Sequence, residues 1–271
     1  MKTSIIAEIG ENHLGCINLA KRMIEEAAIA GADYVKFQSY RGQDFDDSDP
    51  EKEWFFKVEL SNEDHFELKE HAKKYSLEFL SSPFSLERAK FLVEDLKLKK
   101  IKVASGMMLN FKVLDYLNKA NVDEIFLSTG MATLSEIKES LSHLKSVPKI
   151  NILHCTTQYP CADEDANLKA IVTLKNEFPK NTIGYSDHTI GIDACIAAVV
   201  LGAEVLEKHF TLNKKCKEGT DHILSAEPHE LREMINEIRR TENLLGKLEK
   251  KPTDSEKEIT DFVRGRFINN I

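Results

Sequence analysis

No apolar run in this chain approaches the roughly 20 residues that a membrane-spanning helix needs. The first residues (Met1-Lys2-Thr3-Ser4-Ile5-Ile6-Ala7-Glu8) turn acidic before a signal-peptide core could form. The expectation is a cytoplasmic protein with no membrane partner. A basic excess is also missing. The formal net charge is -8, which argues against nucleic acid, whose phosphates are held by clustered Lys and Arg. A small anionic substrate needs only a few local cations and stays open. Cysteine is sparse. Cys16, Cys155, Cys161, Cys195 and Cys216 are odd in number, widely spaced and form no Cys-x-x-Cys pair. Free thiols in a reducing compartment are expected, and a cysteine-ligated metal is not. There is no low-complexity tract, and no G-x-G-x-x-G turn follows the first apolar run, as a doubly wound dinucleotide-binding sheet would show.

What is present is an alternation. The spacing predicts strands over Ser4–Gly10, Tyr34–Tyr40, Leu77–Pro83, Lys100–Gly106, Glu124–Gly130, Lys149–Thr156, Thr182–His188 and Val205–Thr211. Between and after them it predicts helices over Asn18–Ala30, Ser61–Tyr75, Ser85–Leu96, Asn110–Ala120, Thr133–Leu144, Ala166–Phe178, Gly191–Leu201 and Pro228–Leu245. Eight βα units within 271 residues point to one α/β domain, a (β/α)8 TIM barrel over 1–246 with a polar tail over 247–271; an open doubly wound sheet is the alternative. Residues 41–58 form an acidic insertion after the second strand, either a solvated loop or a lid over the mouth.

Polar side chains gather at the C-terminal ends of the predicted strands: Glu8, Lys36, Gln38, Ser81, Ser82, Lys102, Ser105, Ser128, Thr129, His154, Ser186, His188, Glu207 and His209. In a barrel these ends converge on one mouth, where active sites are built. Strand alternation puts Lys36 with Gln38, Ser186 with His188 and Glu207 with His209 on shared faces, leaving Val35, Phe37, Leu206 and Phe210 for the helix side. A buried lysine is rarely tolerated unpaired. Lys36 and Lys102 therefore call for an anion, and the hydroxyls beside them suit a phosphate together with a carboxylate. His188 and His209 end neighbouring strands and are placed to share a metal. His13 reads equally as structural or as a mouth residue. His65, His71 and His143 read as helix-surface residues, and His222 and His229 have no clear role.

The segments IIAEIGENHLG, GADYVKFQSY, SSPFS, IKVASG, LSTGMAT, LHCTTQYP, GYSDHTIG, LGAEVLEKHFTL and GTDHILS, in this order from about residue 4 to 260, resemble the N-acetylneuraminate (sialic acid) synthase family with its legionaminic and pseudaminic acid relatives. The resemblance implies condensation of phosphoenolpyruvate with an N-acylated hexosamine, such as N-acetylmannosamine or a modified relative, giving a nine-carbon 2-keto acid and phosphate. It implies Mn2+, or another divalent ion such as Mg2+ or Co2+, on His188 and His209. It implies phosphate-side contacts from Lys36, Ser82, Ser105, Ser128 and Ser186, with Thr157 where the family commonly has Asn. Lys102 would pair the phosphoenolpyruvate carboxylate, Glu8 would be the catalytic carboxylate, and Gln38, Tyr159 and Asp221 would face the sugar. Asn12-His13-Leu14-Gly15 departs from the usual Asn-His-Asn-Gly or Asn-His-Glu-Gly. Typical members add a C-terminal antifreeze-like (SAF) domain that bridges a homodimer, and this sequence reaches Ile271 without one. A homodimer is implied, with a separate SAF-domain protein, another aldose acceptor, or a non-catalytic metabolite-binding barrel as alternatives.

Overall fold

The computed structural model describes residues 2–266. Positions 267–271 of the expected tail, and Met1, lie outside the described residues. Eight parallel strands alternate with helices: β1 (Ser4–Gly10), β2 (Tyr34–Ser39), β3 (Glu78–Pro83), β4 (Lys100–Val103), β5 (Glu124–Ser128), β6 (Lys149–Cys155), β7 (Thr182–Asp187) and β8 (Val205–His209). Their hydrogen-bonded order is β3-β2-β1-β8-β7-β6-β5-β4. Pairing of the first strand with the last closes the sheet into the expected (β/α)8 barrel, and β3 and β4 meet at the remaining seam.

The helices are α1 (Ile17–Ala30), α2 (Lys52–Val58), α3 (Asn62–Lys74), α4 (Leu86–Lys90), α5 (Phe111–Lys119), α6 (Leu134–Ser142), α7 (Ala170–Glu177), α8 (Asp193–Val200), α9 (Pro228–Leu245) and α10 (Asp254–Gly265). Their starts follow local capping chemistry. The Ser61, Ser85, Asn110 and Thr133 side chains accept backbone N–H bonds that the first turn leaves free. Most boundaries fall within two residues of expectation, and the larger differences have local causes. β4 ends at Val103, because Ser105–Met107 turns into a 3-10 helix. α4 gives way to a π-helical turn over Phe91–Asp95. α7 starts at Ala170 rather than Ala166, after Asn167 adopts a positive φ of 44°. The tail contains α10, begun by a Thr253–Glu256 capping box.

The strands' outer faces (Ile5, Ala7, Val35, Phe37, Ile101, Ile125, Ile152, Leu206) share one apolar core with helix residues such as Met23, Ile24, Leu68, Leu114 and Met234. Inside the barrel, Ile6, Leu80, Phe126, Leu153 and Val205 form a separate apolar plug. Below it lies a charged ring at the strand starts: Lys100 pairs with Glu78 at 2.7 Å and Glu124 at 3.4 Å, and Lys149 pairs with Glu124 at 2.7 Å. Above it lies the mouth. The plug separates these two polar layers, so water and charge reach the mouth from one side.

Gly184 completes the plug by having no side chain. A Cβ there would sit 2.3 Å from Leu153 Cδ2 and 2.5 Å from the Val205 carbonyl oxygen. Gly184→Ala should therefore destabilise the barrel by roughly 1–3 kcal/mol, the usual cost of overpacking a core. A thermal melt checks this, and an unchanged Tm would mean that the plug has room to spare.

Candidate active site at the barrel mouth

Strand register builds the site. Glu8 on β1 is level with Lys36 on β2 and with His209 on β8, while Ser186 on β7 is level with Glu207 on β8. A cavity of about 440 Å³ opens above the plug. It is lined by every residue expected at the site: Glu8, Lys36, Gln38, Ser82, Lys102, Ser105, Ser128, Thr157, Tyr159, Ser186, His188, His209 and Asp221. The structure brings them together around one cavity.

Other residues depart from expectation. Ser81, Thr129 and His154 end strands but do not line this cavity. The Thr129 hydroxyl bonds the Leu153 carbonyl, and His154 Nε2 bonds the Ala166 carbonyl. Both neighbours of His154, Leu153 and Cys155, take the inner face, so alternation sends His154 outward. His65 is fully buried rather than at the surface, because its ring packs on Phe79 and Phe91. His13 is structural: its Nδ1 accepts from the Gly15 N–H, and burial pushes it down to about 4. His222 is buried against the Thr211 hydroxyl, and His229 is exposed.

The anion called for by the two lysines is supplied first by the protein. Lys36 Nζ lies 2.8 Å from Glu8 Oε2 and 4.0 Å from Glu207 Oε2, and Lys102 Nζ lies 3.1 Å from Glu207 Oε1. All four are buried. Glu207 is the residue to which sequence reasoning assigned no role; its parity with His209 was the available signal. Burial would raise Glu207, but Lys102 and Lys36 outweigh it and hold the carboxyl at about 2. Glu8 differs. Burial pushes it above the ordinary carboxylate value, and Lys36 only partly opposes this. Burial would lower Lys36, yet Glu207 and Glu8 together hold it above the ordinary value. Lys102 is lowered by burial despite Glu207.

Hydroxyls surround the lysines. Ser82 Oγ accepts from Lys36 at 3.3 Å, Ser186 donates to Glu207 at 2.9 Å, and the Gly130 N–H donates to Ser105 Oγ at 3.0 Å. Ser128 Oγ is buried with no partner among the described residues. Gly130 makes room here: a Cβ would lie 2.1 Å from Thr157 Oγ1 and 2.8 Å from Ser105 Oγ. Hydroxyls and an amide beside two ammonium groups form a cradle for a tetrahedral anion.

The histidines stand opposite, with ring centroids 5.3 Å apart. His188 Nδ1 is hydrogen-bonded to the Thr156 carbonyl at 2.7 Å, and His209 Nδ1 lies 3.2 Å from Asp221 Oδ2 as an ion pair without hydrogen-bond geometry. The Nε2 atom of each ring has no protein partner among the described residues. Burial and the neighbouring His209 charge lower His188 to about 4, so it is neutral at pH 7. This donor set fits a divalent ion: two imidazoles, His188 oriented by a bond to its other nitrogen and His209 held beside the Asp221 carboxylate. Among the described residues no group of three or more His, Cys, Asp or Glu is placed to hold a metal alone. The remaining coordination positions would fall to substrate and water.

The insertion at 41–58 closes one wall. Tyr40, Phe45, Phe55 and Phe84 pack edge-on or stacked at centroid distances of 3.8–5.9 Å. Trp54 on α2 donates to Glu11 Oε2 at 2.6 Å, and Tyr40 donates to Oε1 at 3.2 Å. Burial raises Glu11 to about 7. Phe45, Phe55 and Glu51 line the cavity, so the insertion is a wall rather than a solvated loop.

A model of the NeuB family matches residues 23–250. The chain belongs to the NeuB family. It is 44% identical to an N,N'-diacetyllegionaminic acid synthase of Campylobacter jejuni over 98% of this chain and 84% of that protein. It is 38% identical to an N-acetylneuraminate-9-phosphate synthase of Mus musculus over 89% of this chain and 71% of that one. The solved N-acetylneuraminic acid synthetase of Leptospira borgpetersenii superposes with a TM-score of 0.91 at 36% identity, covering 97% of this chain and 92% of that chain. The chain is accordingly a NeuB-family synthase, and no helix among its described residues is long and apolar enough to cross a membrane.

Behind the histidines, alternation puts Asp187 and Lys208 on the helix side, paired at 2.7 Å with no exposure. Asp187 also accepts from Tyr185, Thr189 and Cys195, and Lys208 from its side donates to the Thr189 carbonyl. Breaking this pair strands a buried charge. Asp187→Ala should cost about 3–5 kcal/mol, whereas Asp187→Leu with Lys208→Met should recover most of it. Denaturant unfolding of both variants checks this, and equal losses would sink the ion-pair account.

Proposed function

We propose that this synthase joins phosphoenolpyruvate to the aldehyde carbon of an N-acylated hexosamine, N-acetylmannosamine or a modified relative, releasing phosphate and a nine-carbon 2-keto acid. The observation that carries the reading is the pair of buried lysines ringed by hydroxyls at the foot of a cavity whose opposite wall holds two oriented imidazoles. Lys36 with Ser82, Ser105, Ser128, Thr157 and Ser186 holds the phosphate, and Lys102 pairs the carboxylate of phosphoenolpyruvate. His188 and His209 would hold a divalent ion, Mn2+ by family resemblance, with Mg2+ or Co2+ as alternatives; such an ion supplies Lewis-acid polarisation of the sugar aldehyde oxygen. Gln38, Tyr159 and Asp221 face the sugar.

C3 of phosphoenolpyruvate forms a bond to the aldehyde carbon as the carbonyl π pair passes to its oxygen, which takes up one proton, matching the one that water gives up at C2, to become a hydroxyl; positive charge develops at C2. Water adds at C2 and loses a proton, and the tetrahedral adduct expels phosphate as the ketone forms. Glu8 lies where it can stabilise the cation or take that proton, and its raised carboxyl suits proton transfer near neutral pH better than an ordinary carboxylate does. Lys36 beside it offsets the growing charge on phosphate in a site of low dielectric.

Phosphate release tests the reading. Protein stripped with chelator should release phosphate from phosphoenolpyruvate only after a divalent ion and a suitable hexosamine are both added. Full activity in chelator would remove the metal from the account, and release with no sugar would remove the condensation. Glu8→Gln should lower kcat by about 100-fold or more with the fold intact, the range expected for loss of a general acid–base group. His209→Ala should abolish metal-dependent turnover without lowering the Tm by more than a few degrees. A fully active His209→Ala enzyme would overturn its assignment.

A further inference from the structure

The cavity is divided by charge. Its only lysines are Lys36 and Lys102 on the floor, each already facing a carboxylate, and no arginine lines it among the described residues. The rim carries Glu11, Glu51 and Asp221, with the rings of Phe45 and Phe55 between them. On the insertion, Lys52 is paired with Asp47 and the Phe45 carbonyl, Lys57 with Glu218, and Arg41 donates to the Asn62 amide oxygen.

Glu11 reaches this rim because of the backbone before it. The register of β1 slips between Glu8 and Gly10, and Gly10 has a φ of 53°, so the chain turns over the mouth instead of continuing along the barrel. Trp54 and Tyr40 then grip one lone pair on each Glu11 oxygen. Each oxygen keeps a second acceptor position, and Glu11 is half-buried facing the cavity.

We propose that the acceptor is an uncharged N-acylated sugar, and that Glu11 selects it by accepting hydrogen bonds from the sugar's distal hydroxyl or amide donors and repelling a phosphate at that end. The inference rests on the condensation proposed above. With phosphoenolpyruvate on the floor and the aldehyde carbon beside Glu8, the far carbons of the acceptor extend to the rim. A distal phosphate there meets carboxylates, and no lysine or arginine among the described residues lines the rim. A neutral sugar meets acceptors for its donors and aromatic rings for its apolar edges.

The test compares N-acetylmannosamine with its 6-phosphate at pH 8, with Mn2+ and saturating phosphoenolpyruvate, following consumption of phosphoenolpyruvate. The wild-type enzyme should prefer the neutral sugar in kcat/KM by at least about 100-fold, the effect of like charges roughly 6 Å apart in a partly buried site. Glu11→Gln keeps an acceptor for Trp54 and removes the charge. It should narrow that preference by about tenfold, through a lower KM for the 6-phosphate and a higher KM for the neutral sugar. Equal or better use of the 6-phosphate by the wild type overturns the proposal, and an unaltered preference in Glu11→Gln overturns the role of Glu11. Absence of turnover with both sugars counts against the condensation itself. Calorimetric titration of each sugar then decides selection separately: tighter binding of the 6-phosphate, or no binding of the neutral sugar, overturns it.

Discussion

Two ammonium groups held inside the barrel by two carboxylates set the conditions for everything above them. Removing a lone ammonium from water costs several kcal/mol even after the protein relaxes, so Lys36 and Lys102 can occupy a barrel interior only with Glu8 and Glu207 beside them. The arrangement is unequal in its consequences. Glu207 touches both lysines and stays ionised, whereas Glu8 touches one, lies deep, and is pushed upward. Two carboxylates of one type thereby acquire different chemistry from their surroundings. The apolar plug beneath them keeps water away from the far side, so the attraction between these charges is not screened from below.

Register converts that charge pattern into a site. Because the strands are parallel and closed, Glu8, Lys36 and His209 stand in one row across three strands. The residues between them in sequence serve the other face. Asp187 lies between Ser186 and His188, and Lys208 between Glu207 and His209. Their buried pair, with Thr189 bound to both, holds the ends of β7 and β8 together from behind. The loop after β1 is fastened in the same way: Asn12 donates to the Phe210 carbonyl and to Ser225, and Ser225 donates to the Asp221 carbonyl. The histidines and Asp221 are thus oriented by groups that never enter the cavity.

The mouth has two chemical halves with different origins. The floor is made by strand residues and is set by the barrel itself. The outer wall is made by loops, by α2 and by the aromatic group around Tyr40, which are free to vary without disturbing the floor. The 44% identity with a legionaminic acid synthase and the TM-score of 0.91 with a sialic acid synthetase concern a shared barrel. In the reading proposed above, the acceptor is distinguished at the rim, where Glu11 and the insertion stand.

Period and composition were enough to establish eight βα units, the barrel, and the face carrying Lys36, Gln38, Ser186, His188, Glu207 and His209, because alternation along a strand is a local property of the backbone. The same alternation, followed strictly, would have sent His154 and Ser81 outward. Nearness in sequence to a strand end, which suggests the mouth for both, does not decide a face. The burial of His65 could not be read, because the rings of Phe79 and Phe91 that enclose it come from other elements. The partners of the lysines were likewise invisible: Lys102 and Glu207 are far apart in sequence, and only closure of the sheet brings them to 3.1 Å. So too for Glu11 and Trp54, joined across 43 positions once the bulge at Gly10 turns the chain over the mouth. Which residue types each strand end carries is a local fact of the chain. Which of them meet, and therefore which charges are paired and which stay free for a substrate, was decided only by the closed barrel, because pairing depends on distance in space.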